Sequence, residues 1–126
     1  MATEPQQQNK VMASISATVE KIKVEQASDV RTKLAQQLSE LIKGEDTTAI
    51  DTKLINEISD LLRDKDDSVR YWAATSLGYI GPRAGFTIPA LEKALKEKDD
   101  DLSSKSSASA IRLALERIRR KPAGSN

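Results

Sequence analysis

The feature that most constrains this chain of 126 residues is that it repeats itself. The segment "LINEISDLLRDKDDSV" (54–69) superposes on "TIPALEKALKEKDDDL" (87–102) at a constant offset. Ile55, Ile58, Leu61, Leu62 and Val69 fall on Ile88, Leu91, Ala94, Leu95 and Leu102, and Asp66 falls on Asp99. A third copy is "SDVRTKLAQQLSELIKG" (28–44). There Val30, Arg31, Leu34, Ala35, Leu38 and Leu41 fall on Val69, Arg70, Ala73, Ala74, Leu77 and Ile80, with extra residues in a loop around Gly44–Thr48. Self-similarity at this spacing means stacked units, each too small to bury its apolar face alone.

Each unit reads as two helices. Val11, Ile15, Val19 and Ile22 recur at helical spacing, and a second stripe runs from Val30 to Leu41. In the middle unit, helix A covers about 50–63. Helix B follows "DKDDS", where Asp66, Asp67 or Ser68 can accept backbone N–H bonds at the N-cap. Gly81–Pro82 ends that helix, because glycine tolerates a left-handed cap and proline cannot extend the ladder. Gly44 is the matching C-cap of the first unit. In the third unit Thr87 is the expected N-cap and Pro89 sits in the first turn, where its missing N–H costs little. The serine-rich run before Ser106 is a weak helix former. The expected organisation is a repeat domain over 10–120, with units at about 10–44, 49–81 and 85–119. Disordered polar tails over 1–9 and 121–126 flank it.

The stretch "DKDDSVRYWAATSLGYIGPRAGFTIPALEKAL" resembles the short HEAT repeat of the phycobilisome-lyase type. The shared marks are an acidic loop, Val-Arg, an alanine pair, Leu-Gly, Ile-Gly and Ile-Pro-Ala-Leu. The likeness covers 50–102 well, 28–44 fairly and 103–118 poorly, as expected of a terminal capping unit. The resemblance implies an all-α, right-handed α-solenoid of about three helical hairpins, with the second helices on the concave side. It further implies that Arg31 and Arg70, which recur at one repeat position, bond to acidic loop residues of neighbouring units such as Asp29, Asp66 or Asp67. The tetratricopeptide pattern wants Trp nearer to Leu-Gly than Trp72 is to Leu77–Gly78, and the ankyrin Thr-Pro-Leu-His opening is missing.

Tyr71, Trp72, Tyr79 and Phe86 are the only aromatics, and three of them lie on helix B of the middle unit. At about 100° per residue, Val69, Ala73, Leu77 and Ile80 share one side, flanked by Ala74. Tyr71, Thr75 and Tyr79 lie opposite, bordered by Trp72. The small residues Ala73, Ala74 and Gly78 let neighbouring helices approach closely. Rings on a rigid scaffold have the composition of a protein-binding hot spot. The repeat offsets extend this surface to Thr32, Lys33, Gln36 and Glu40 on one side, and to Ser104, Lys105, Ala108 and Arg112 on the other. The structural reading of the same helix is that Trp72 packs against the adjacent repeat and the tyrosines cover alanine-poor gaps.

Composition excludes several chemistries. With neither cysteine nor histidine, the chain has no thiol nucleophile, no disulfide and no ordinary zinc ligand set. Gly-rich phosphate cradles and nucleophile elbows are absent as well. "DKDD" and "EKDDD" lack the Asp-x-Asp-x-Asp-Gly spacing of a calcium loop, so capping and solvation explain them better than a metal does. A formal charge of +1 gives no global field for nucleic acid. The basic run from Lys105 to Lys121 carries no interleaved stacking residues, and the acid-rich 45–67 gives the chain a dipolar layout compatible with self-association. No run reaches membrane-span length and no signal peptide is visible, so the expected location is cytoplasmic. The functional expectation is a non-enzymatic protein-interaction module without cofactor. An adaptor, an assembly chaperone and a small inhibitor such as a bacterial immunity protein all fit it. The resemblance implies one alternative, a bilin lyase or chaperone acting on phycobiliproteins.

Overall fold

The computed structural model describes residues 5–98 and 106–120. Within them six α-helices follow one another: α1 (Pro5–Val24), α2 (Ser28–Ile42), α3 (Thr52–Asp60), α4 (Asp67–Ile80), α5 (Ile88–Lys98) and α6 (Ser107–Arg119). Short 3₁₀ segments lie at Thr47–Ala49, Leu61–Arg63 and Gly81–Thr87, and there is no strand among the described residues. The second helices of the three units form a layer in which α4 packs between α2 and α6. The first helices back this layer, α1 on α2, α3 on α4 and α5 on α6. The chain is thus an all-α, solenoid-like stack of hairpins.

One continuous core runs through the stack. Ile15, Val19 and Ile22 of α1 meet Ala35, Leu38 and Ile42 of α2, and the cluster continues through Ile55 and Ile58, Val69, Ala73 and Leu77, to Leu91, Ile111 and Leu115. The middle helix is the most enclosed element. Its Val69, Ala73, Ala74, Ser76 and Leu77 expose no surface, and Gly78 and Ile80 are also buried.

Three local features differ from the expectations above. First, α1 begins at Pro5, so residues 5–9, assigned above to a disordered tail, are helical. "PQQQNK" has no apolar stripe to signal a helix, but proline suits the first turn and glutamine is a good helix former. Residues 1–4 and 121–126, the rest of the two expected tails, lie outside the described residues. Second, Gly81 adopts φ +78° and closes α4, yet the chain then continues through a seven-residue 3₁₀ segment rather than a plain loop. This segment buries Ala84 and Thr87, and the Thr87 hydroxyl donates to the Ala84 carbonyl (2.7 Å). Third, Asp66 is the N-cap of α4 by position, but its side chain makes no capping bond. Its carboxylate is committed instead to Arg31 and Ser28 of the preceding unit.

That commitment belongs to a polar clamp at the first junction. Arg31 is 5 % exposed. Its Nε donates to Asp66 (3.0 Å), Nη2 to Asp64, and Nη1 to the carbonyls of Ile22 and Glu25. The Asp64 bond is the main cause holding this guanidinium's proton more tightly than usual. It outweighs burial, and Asp66 adds to it. Thr32 and Ser68 share a hydroxyl–hydroxyl bond (2.6 Å) across the same junction.

The second junction is built differently. A Cβ at Gly78 would stand 3.3 Å from the Ala114 Cα, so glycine permits the close approach of α4 and α6. Asp67 reaches across to the first turn of α6, accepting from the Ser107 hydroxyl (2.7 Å) and backbone N–H (3.2 Å). Ser106 caps the same helix by accepting from Ser109 N–H. Burial alone would raise the Asp67 pKa, but the Ser107 bonds and the Arg70 guanidinium outweigh it and leave the carboxyl below its ordinary range. A depressed folded-state pKa stabilises fully above the unfolded carboxylate range, about 3.9, and is lost as pH falls through the folded value. Asp67→Asn should therefore be less stable than wild type at pH 7, with the gap narrowing as pH drops below about 4. Urea unfolding at both pH values checks this; a gap constant with pH would contradict the linkage.

Candidate protein-binding face

The outward side of α4 gathers the rings. Tyr71 and Trp72 meet edge to face, with centroids 4.9 Å apart and planes at 79°. Thr75 lies one turn after Tyr71, its hydroxyl donating to the Tyr71 carbonyl (2.9 Å). Tyr79 follows two turns after Tyr71. All three rings are half-buried and packed against the edge of the core. They point less freely to water than the expected outward orientation, because α2 and α6 flank the side that a helical wheel leaves open. A groove of about 550 Å³ opens at the start of this face, lined by Asp67, Ser68, Tyr71 and Trp72.

The flanking positions divide. Lys33, Gln36 and Glu40 are exposed on α2, and Thr32 is half-buried at its junction with α4. On α6, Arg112 is half-buried and Ala108 is buried. Ser104 and Lys105 lie outside the described residues. The sequence reasoning missed the two cations beside Tyr79. Lys43, just past α2, places its Nζ 5.9 Å from the ring centroid, and the Arg117 guanidinium of α6 lies 5.4 Å from it. Lys43 could have been found, since it follows Glu40 by one helical turn. Arg117 was hidden because the offset of the third unit pairs Tyr79 with Arg112.

The residues read as structural also have definite settings. Arg70 donates through Nη1 to the Asp64 carbonyl (2.6 Å) and through Nη2 to Asp67 (2.9 Å), while its buried Nε has no partner. It borders a second groove of about 550 Å³ lined by Asn56, Ser59, Arg63, Lys93 and Glu97. Asp64, which sequence reasoning did not single out, is the second carboxylate on Arg31. Pro82 follows the Gly81 cap, and Pro89 sits exposed in the first turn of α5. Among the described residues no three acidic side chains gather to hold a metal ion, and no helix is long and apolar enough to cross a membrane.

The comparisons with known proteins agree with this architecture. No curated protein and no solved structure matches the chain. The family model of HEAT repeats matches residues 15–112, from α1 into α6. Proteins built from such repeats are generally non-enzymatic scaffolds for protein interactions. With most of its length matched, and with hairpins stacked through their second helices, this chain belongs to the HEAT-repeat family.

Proposed function

We propose that the protein is a non-enzymatic interaction module that holds a protein partner against the face of α2, α4 and α6. Tyr71, Trp72, Thr75 and Tyr79 are the centre of that contact, and Lys33, Gln36, Glu40 and Arg112 its rim. The observation that carries the reading is the concentration of three of the four aromatics on the outward side of the most enclosed helix. Half-buried rings on a packed helix have already lost most of their rotamer freedom. They therefore give up little further entropy on binding. Tyrosine and tryptophan also supply large apolar area with a polar tip, the composition of interface hot spots.

The test is a double truncation. Tyr71→Ala with Tyr79→Ala should leave the far-UV helical spectrum near that of wild type. It should abolish capture of the partner that the wild-type protein retains from native lysate. Capture at wild-type level by the folded double variant would remove this face from the interaction.

A further inference from the structure

We propose that the C-terminal end of this face is an acid-binding clasp, in which Lys43 from α2 and Arg117 from α6 hold acidic side chains of the partner protein beside Tyr79. The inference rests on the function proposed above and assigns the chemistry of one end of the contact. Its basis is convergence. Lys43 ends α2, Tyr79 lies in the last turn of α4, and Arg117 lies in the last turn of α6. Three helices thus bring two cations to a single ring, at 5.9 and 5.4 Å from its centroid.

Neither cation has a carboxylate partner among the described residues, whereas the neighbouring Arg119 and Arg120 pair with Glu92 and Glu116. Attraction to the ring holds a cation only weakly at an exposed position such as that of Lys43. An arriving carboxylate gains charge-assisted hydrogen bonds from either cation. The clasp is also built into the packing. The stem of Arg117 packs beside Gly78, its Cδ 3.5 Å from where a Cβ there would stand. The helix dipole explains a basic residue in the last turn of α6. It does not explain why the α2 and α6 cations meet on a ring of α4.

The site suits carboxylates better than a phosphate backbone. Glu40 and Glu116 interrupt any basic track along the flanking helices, and nucleic-acid binding needs that track continuous.

The experiment is an NMR titration of the full chain, following backbone amides and arginine Nε–H signals. Three probes are used: the peptide acetyl-Ser-Glu-Leu-Glu-Ser-amide, its Gln-for-Glu counterpart, and an oligothymidine. The acidic peptide should give saturable shifts centred on Lys43, Tyr79 and Arg117. The Gln peptide should give none. Lys43→Gln with Arg117→Gln, which keeps the packing stems, should bind the acidic peptide at least about tenfold more weakly with an unchanged helical spectrum. Equal response to the two peptides would overturn the proposal, as would shifts confined to Tyr71 and Trp72, no shift with any probe, or tighter binding of the oligothymidine. None of these depends on the partner-capture result, so failure of the clasp and failure of the wider face are read separately.

Discussion

Arg31→Ala should lower the free energy of unfolding by about 3–5 kcal/mol, the cost of breaking a buried, hydrogen-bonded ion pair by removing one partner. The side chain is only 6 % exposed, and its partners Asp64 and Asp66 are 12 % and 19 % exposed. Truncation leaves two carboxylates facing each other in a desolvated junction and strips the Ile22 and Glu25 carbonyls of their donor. Lysine should not rescue the loss, because one ammonium cannot replace a fork that reaches both acids and two carbonyls. Urea denaturation gives the measurement, as a lower midpoint with an unchanged slope. Adding Asp64→Asn to the alanine variant should recover part of the loss by removing an uncompensated charge. A loss below about 1 kcal/mol, the range of surface ion pairs, would mean that the clamp does not hold the first two repeats together.

Gly78→Leu should destabilise the second junction by about 3 kcal/mol, the upper part of the range for overpacking. A Cβ there already stands 3.3 Å from the Ala114 Cα, which is backbone and cannot turn aside like a side-chain tip. The larger residue must push α6 away from α4, and the Arg117 stem with it. Gly78→Ala should cost far less, because the gain of about 1 kcal/mol in helix propensity offsets the tight contact. Gly85→Ala is the control, since a Cβ there meets nothing within 4 Å. Thermal melts of the three variants test the argument. If Gly78→Leu melts with Gly85→Ala, the junction does not depend on close approach.

Much of this architecture was legible from the repeat. The offset carrying Leu34, Ala35 and Leu38 onto Ala73, Ala74 and Leu77 identifies the second helices, and all six side chains lie in or against the core. The helix at 5–9 was not legible, because glutamines carry propensity without periodicity. Nor was the 3₁₀ segment after Gly81: Gly-Pro marks where an α-helix stops, not what the chain does next. The capping role expected of Asp66 yielded to the stronger pull of Arg31, a partner 35 residues away. The ring face was half legible. A wheel drawn for α4 alone puts Tyr71, Thr75 and Tyr79 on one side, but it cannot know that Lys43 and Arg117 will reach over from two other helices.

The middle helix has a use on every side of its axis. One side fills the core, Gly78 admits the next repeat, Ser68 and Asp67 bond to both neighbours, and the remaining arc carries the rings. Mutational drift therefore has little room on α4 itself. If the proposed face is the contact surface, a lineage that changes its choice of partner must do so mainly at the exposed Lys33, Gln36 and Glu40 of α2. The rings then serve as a fixed anchor, and the edge of the surface becomes the part that selection can rewrite.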